Sequence, residues 1–254
     1  MNNPVKQRLA AGEQLFGCWL TLASPLVAEA LACAGFDFLV VDGEHSPADT
    51  MDTVALLQAI AAGGSQPIVR LTDNTTWLAK RALDAGSPTL LIPMVGGAEE
   101  ARRAVAAMRY PQQGNGGARG VAGIVRAARF GLAADYVLTA NEAACTIVQI
   151  ESAAAVEAAE EIAAVDGVDA LFVGPAALAA SLGHLGDRRH PQVQQAIDRV
   201  AAAASSRRKA AGIFAGSAAE ARDYAARGFS LVSVAADVVW LLAGARQALA
   251  TARG

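Results

Sequence analysis

Short apolar runs, several rich in β-branched residues, recur along the chain. Each is followed by a polar turn, an Ala/Leu-rich stretch with helical spacing and, often, a glycine. The runs cover residues 16–20, 38–42, 67–71, 89–93, 146–150, 170–173, 211–214 and 231–234. Several are apolar at every position, as strands covered on both faces must be. Ser24-Pro25, Ser46-Pro47 and His190-Pro191 place proline where a helix begins. Gly35, Gly86 and Gly228 stand where a helix stops and the next strand starts, a left-handed position that glycine fills without strain. Eight strands alternating with helices predict a parallel sheet, and eight is the number that closes a barrel. The expected fold is therefore an α/β (β/α)8 TIM barrel, with residues 1–254 forming one domain. The competing arrangement, an open doubly wound sheet, normally carries a glycine-rich dinucleotide turn after its first strand. Here that strand runs into Thr-Leu-Ala-Ser-Pro. Gly-Asn-Gly-Gly (114–117) reads as a flexible loop within the long irregular segment 110–129, a candidate lid or binding loop.

Composition agrees with a large core: 54% of the 254 residues are hydrophobic and 18% are charged. Alanine, the strongest helix former, is abundant. The formal net charge of −3 and the lack of a long basic run exclude a nucleic-acid footprint. Arg207-Arg208-Lys209 ends a predicted helix, where cations suit the helix dipole. Cys18, Cys33 and Cys145 lack metal-ligand spacing and are expected to pack as small hydrophobes in a reducing compartment. The opening Met-Asn-Asn-Pro-Val-Lys-Gln-Arg has no apolar signal core, and no apolar run has membrane-spanning length. A cytoplasmic protein without nucleic-acid or membrane partners is the expectation.

Catalytic groups of such a barrel sit at the carboxyl ends of its strands. The second strand ends Asp42-Gly43-Glu44-His45. Histidine titrates near neutrality and serves as a general base, or else as a turn residue tied to a backbone carbonyl. Asp42 either orients that imidazole or binds a metal-held water, and Glu44 is either a site group or a solvated loop charge. Arg70 finishes the third strand, suited to a carboxylate or a developing enolate, or to a rim salt bridge with Asp42. On the fifth strand Gln149 and Glu151 share one face, offering an amide and a carboxylate of the kind Mg²⁺ or Mn²⁺ prefers. The sixth strand turns through Gly174-Pro175-Ala176-Ala177 into a helix whose first N–H groups suit an anion.

Taken in order, several segments resemble the class II pyruvate aldolases of the HpcH/HpaI aldolase family. They are Phe-Gly-Cys-Trp (16–19), Gly-Phe-Asp-Phe-Leu-Val-Val-Asp-Gly-Glu-His (35–45), Pro-Ile-Val-Arg (67–70) and Leu-Ile-Pro-Met-Val (91–95). Arg-Tyr-Pro (109–111), Val-Gln-Ile-Glu-Ser (148–152) and the stretch from Phe-Val-Gly-Pro to Leu-Gly-His-Leu-Gly (172–186) continue the match. The chain is most similar in flavour to the 2-dehydro-3-deoxyglucarate aldolases, then to the 4-hydroxy-2-oxoheptanedioate aldolases. The resemblance implies cleavage of a 4-hydroxy-2-oxo acid to pyruvate and an aldehyde, with a divalent metal (Mg²⁺, Mn²⁺ or Co²⁺) acting on the enolate. It assigns His45 as base, Arg70 to the enolate, Glu151 to the metal, and Asp84 to raising the basicity of the histidine. Trp19, Gln149, Gly174, Pro175 and Ala176 would face the substrate. It also implies a hexamer with active sites at subunit interfaces. Asp84 lies near the end of the helix after the third strand, which runs back to the opposite face of the barrel, so it would serve a neighbour's histidine.

One departure is chemical. The family's turn after the sixth strand reads Gly-Pro-x-Asp-Leu, and its aspartate is a metal ligand; this chain has Ala177 there. Three readings remain open: weak, substrate-assisted metal binding, an impaired or repurposed oxo-acid-binding barrel, or an engineered change. The loop 112–120 is also longer than the family's Pro-x-Gly-x-Arg-Gly, which leaves the aldehyde-side contact of Arg119 open. A lyase acting on acyl-thioesters would need a basic or open site for a long carrier, and the sequence has no such cluster.

Overall fold

In the computed structural model, which describes residues 2–254, eight parallel strands close a barrel in sequence order. They are β1 (Leu15–Leu20), β2 (Phe38–Asp42), β3 (Gln66–Arg70), β4 (Thr89–Ile92), β5 (Cys145–Ile150), β6 (Val168–Val173), β7 (Ala210–Ala215) and β8 (Leu231–Ala236). All eight predicted strands are present, with their ends displaced by no more than two residues. Around and between them run α1 (Pro4–Ala10), α2 (Pro25–Cys33), α3 (Thr50–Gly63), α4 (Thr76–Ala85), α5 (Ala98–Met108) and α6 (Tyr136–Ala143). Then come α7 (Ala153–Glu157), α8 (Ala159–Ala163), α9 (Pro175–Ser181), α10 (Pro191–Ser206), α11 (Ala218–Ala226) and α12 (Asp237–Arg253). No helix among the described residues is long and apolar enough to cross a membrane.

Alternation along the strands divides the core in two. Leu39, Val41, Val69, Leu90, Val148, Leu171 and Val173 pack outward against the helices. Phe38, Val40, Ile68, Leu91, Ile147, Ala170, Phe172 and Leu231 fill the barrel. The two interior phenylalanines need glycine on the neighbouring strand. A Cβ on Gly17 would lie 2.4 Å from the Phe38 ring, and one on Gly212 would lie 2.5 Å from the Phe172 ring. Val5 and Leu9 of α1 join this interior cluster. Asn3, ahead of α1, donates to Thr89 Oγ1 and to the Ala143 carbonyl.

Ser24 caps α2 and His190 caps α10, each followed by proline at the first helical turn as expected. Ser46-Pro47 does not start a helix. The Ser46 hydroxyl bonds back to the Asp42 carbonyl, and α3 begins at Thr50 under an Asp49/Asp52 capping box. Cys18 and Cys145 are buried, and burial pushes the Cys18 thiol up to about 12, so both pack as hydrophobes. Cys33 is exposed, contrary to the packing expected of it, because it ends α2 on the surface side.

The segment 110–129 is not a lid. It follows α5 and precedes β5, so it belongs to the amino-terminal side of the barrel. Arg119 of this segment is buried: it donates to Asp84 Oδ1 (2.7 Å) and to the Tyr136 hydroxyl (2.8 Å), and stacks 4.2 Å over Tyr110. A turn of 3-10 helix (Arg126–Gly131) and α6 complete this excursion.

Candidate active site

Strand ends at the carboxyl rim bring Trp19, Asp42, His45, Arg70, Gln149, Glu151, Gly174, Pro175, Ala176 and Ala177 around one cavity of about 260 Å³. A larger groove of about 530 Å³ lies on the flank between α5 and α8. Its charges largely answer one another, Arg109 with Asp166 at 3.2 Å and Arg102 with Glu99 at 3.1 Å.

Register sets the first pair. Asp42 and Arg70 are Cα partners on β2 and β3, so their side chains leave the sheet together. Arg70 donates from Nε to Asp42 Oδ1 (2.9 Å) and from Nη2 to Oδ2 (2.7 Å). Its Nη1 meets Glu44 Oε2 at 2.8 Å. The guanidinium also lies 4.4 Å over the Trp19 ring, whose Nε1 donates to Ser233 Oγ at 2.7 Å. Two of its five N–H groups are hydrogen-bonded to Asp42, and Glu44 Oε2, close to Nη1, has no hydrogen-bond partner among the described residues, so three N–H groups on the terminal nitrogens remain. This arginine is buried, fixed by Asp42 and by the Trp19 ring, and lines the cavity.

Asp42 does not orient the imidazole, one of the two roles considered for it. Its Oδ1 accepts the backbone N–H of Glu44 (3.0 Å) and of His45 (3.2 Å), so it shapes the turn and holds Arg70. The His45 side chain stands 72% exposed at the cavity mouth, with Nε2 3.9 Å from Glu44 Oε1. Glu44 therefore stands beside both arginine and histidine, though it does not line the cavity.

On β5 the shared face of Gln149 and Glu151 points inward. Gln149 Nε2 donates to Glu151 Oε2 (2.8 Å), and the Met94 N–H donates to Oε1 (2.8 Å). Met94 reaches that position through a left-handed backbone, φ 53°, just after β4. Burial raises the Glu151 proton affinity; nearby Glu44 adds to it, while the Met94 N–H and Arg70 oppose it. Gln149 Oε1 is buried without a partner among the described residues. Gly174 leaves room for this pair, since a Cβ there would lie 2.8 Å from Gln149 Nε2 and 3.1 Å from Glu151 Oε2.

Aromatic walls complete the cavity. Phe172 and Phe214 sit 6.1 and 5.9 Å from Trp19, ring centre to ring centre. Sequence reasoning passed over both, along with Thr21 and Ala236; the ends of β1, β6 and β7 carry no ionisable group, and Asp237, directly after Ala236, was passed over as well. Parity held the signal: Phe172 lies two residues before Gly174 on the same strand face.

Asp84 stands apart from these residues. It sits in the last turn of α4 and pairs with Arg119 of the same chain. A divalent metal also finds little here. No group of three or more His, Cys, Asp or Glu side chains among the described residues is arranged to hold one. Both Glu151 oxygens already accept hydrogen bonds, and Ala177 offers no donor atom. The residues present do not fit a resident ion.

Comparison with known proteins places these features. The chain matches the family described as HpcH/HpaI aldolase/citrate lyase over residues 15–243. A hydroxypyruvate/pyruvate aldolase of Paraburkholderia phytofirmans is 52% identical over 99% of this chain and 98% of its own length. A 5-keto-4-deoxy-D-glucarate aldolase of Salmonella paratyphi C is 46% identical over 93% of this chain and 91% of its own. The crystal structure of an HpcH/HpaI aldolase/citrate lyase family protein from Burkholderia cenocepacia superposes with a TM-score of 0.97, at 52% identity and full coverage of both chains.

Proposed function

From the premise that the chain belongs to the HpcH/HpaI aldolase/citrate lyase family, and is an enzyme of that aldolase and lyase type, we propose that it cleaves a 4-hydroxy-2-oxo acid. The products would be pyruvate, or its hydroxylated analogue, and an aldehyde. The observation that carries this reading is Arg70, a cavity-lining cation held by Asp42 and stacked on Trp19, with N–H groups left over. Retro-aldol cleavage removes the proton of the 4-hydroxyl and breaks the C3–C4 bond. The electron pair of that bond passes to the oxo oxygen as an enolate, whose C3 then takes up a proton to give pyruvate. Fixed donors aimed at that oxygen stabilise the charge without reorganisation. His45, at the mouth, is placed to take the hydroxyl proton on the aldehyde side. Gln149 Oε1, unpartnered at the inner end, accepts a hydrogen bond from the bound acid or from water. The substrate carboxylate would meet the first N–H groups of α9 at Ala176 and Ala177, which lack intrahelical partners. Trp19, Phe172 and Phe214 exclude water around the enolate carbon.

Since the donor set does not fit a resident metal, metal dependence is the point to test. Ala177→Asp should tighten Mg²⁺, Mn²⁺ or Co²⁺ binding at least about tenfold and raise pyruvate release, by comparison with the 10–100-fold cost of losing a metal-supporting side chain. Calorimetric metal titration and a coupled pyruvate assay, each with and without chelator, read the two effects. Release from no hydroxy-oxo acid, at any level of these ions and in either chain, would count against an aldolase.

The same deficit favours a second reading, an oxo-acid-binding barrel that does not turn its ligand over. Binding of pyruvate or oxalate without release of product would establish it.

We further propose a homo-oligomer, a hexamer in the pattern the sequence resemblance implies, with a neighbour's Asp84 beside His45. Asp84 is turned to Arg119 through one oxygen, so it does not serve its own histidine.

A further inference from the structure

The β1–β8 ladder breaks at the cavity. Gly17 pairs with Ser233, but the next partners are Trp19 and Ala236, so the register slips just where the rim begins. Two alanines flanking this region, Ala23 and Ala235, adopt left-handed backbone with φ of 51° and 56°. Residues with a Cβ resist that conformation and keep it only when surrounding contacts over-determine it. Regular strand pairing does not supply those contacts here.

Asp237 bridges this gap through the residues next to them. It is the first residue of α12 and is buried. Its two carboxylate oxygens accept the Thr21 N–H at 3.0 and 3.1 Å and the Thr21 hydroxyl at 2.7 Å. They also accept the Leu22 N–H at 3.1 Å and the Val238 N–H at 2.8 Å. Every donor is an N–H or O–H group of these three residues. Thr21 and Ala236 line the cavity, and Trp19, two residues before Thr21, stacks on Arg70.

We infer that Asp237 is a positioning residue of the active site: its carboxylate replaces the interrupted β1–β8 ladder. It fixes the Thr21–Leu22 turn, and with it the Trp19 wall, to the root of α12. Asp237 is not among the cavity's lining residues, so it acts through Thr21. The inference rests on the aldolase reading only for what occupies the cavity; the clamp itself is independent of it.

Asp237→Ala and Asp237→Asn in the full chain test it, read by amide hydrogen exchange over residues 19–27, thermal melting, and kcat and KM for pyruvate release. Losing these bonds should speed exchange at Thr21 and Leu22 by about tenfold or more and raise KM about tenfold while kcat changes far less. Asparagine, which keeps one acceptor oxygen, should fall between. Thr21→Val, which removes only the hydroxyl bond, should move exchange and KM the same way by less. It decides the matter if the Asp237 variants do not fold. Unchanged exchange at 21–22 in folded variants overturns the clamp, and a fall in kcat at constant KM overturns its positioning role. If the unaltered chain neither releases pyruvate nor binds oxalate, the aldolase reading fails, and exchange alone then decides the clamp.

Discussion

Glu151 shows how one side chain is held between two protonation states. Burial penalises its charged form and Glu44 adds repulsion, against two hydrogen bonds and the attraction of Arg70. A carboxyl whose folded proton affinity is raised binds its proton more tightly folded than unfolded. Its ionisation therefore penalises the folded state, and stability is lost as pH climbs from the ordinary value of 4.5 through the raised one. Glu151→Gln removes that penalty. The new amide oxygen still accepts from the Met94 N–H, and its NH₂ group faces Gln149, whose unpartnered Oε1 can rotate to accept it. The variant should melt above the unaltered chain at neutral pH, with the advantage shrinking to nothing as pH falls below 4.5. Melting curves from pH 4 to 8 check this, and an advantage that grew on acidification would contradict it.

At the scale of elements, two rim glycines separate fold from site. A Cβ on Gly43 would meet the Arg70 carbonyl oxygen at 2.6 Å, and backbone cannot step aside. On Gly174 it would meet the amide end of Gln149 and the carboxylate of Glu151, which can. Gly43→Ala should therefore cost stability, about 1–3 kcal/mol for an overpacked site. Gly174→Ala should melt closer to the unaltered chain yet raise KM by disturbing the 2.8 Å bond between Gln149 and Glu151. Chemical denaturation beside steady-state kinetics distinguishes the two, and equal stability losses would contradict the argument. The same scale explains what the sequence made legible. Strands read well because both faces are buried, so apolar runs mark them without ambiguity. The start of α3 read badly because Ser46 turns back to the Asp42 carbonyl, and the Asp49/Asp52 pair sets the cap instead. Charged strand ends drew attention to Asp42, Arg70 and Glu151. Phe172 and Phe214, apolar in apolar strands, gave no contrast to notice. Asp42 has an aspartate's usual candidate roles in sequence, and only the β2–β3 register commits it to Arg70.

For the molecule as a whole, α12 is the element that the barrel leaves uncovered. Trp240 stacks on Phe36 at 5.5 Å, but beyond that root only Asp237 of the helix is buried. Val239, Leu242 and Leu249 share a helical face, and each is about half exposed, at 46, 49 and 49%. Elsewhere Ile124, Phe130, Leu132 and Leu138 are exposed around the segment that holds Arg119. Apolar surface gathered in this way marks association in a protein whose remaining core is well filled. The proposed oligomer makes a linked demand, because Asp84 can assist a histidine only in another copy. Replacing Leu242 and Leu249 together with arginine tests both parts; arginine is a good helix former and both positions are exposed, so α12 itself should persist. Sedimentation should show the unaltered chain assembled and the variant as a smaller, folded species with its melting transition retained. Pyruvate release should fall at least about tenfold, as expected when a base loses the carboxylate that supports it. A folded, separated variant with full activity would show that each barrel is complete on its own. Asp84 would then be no more than the partner of Arg119.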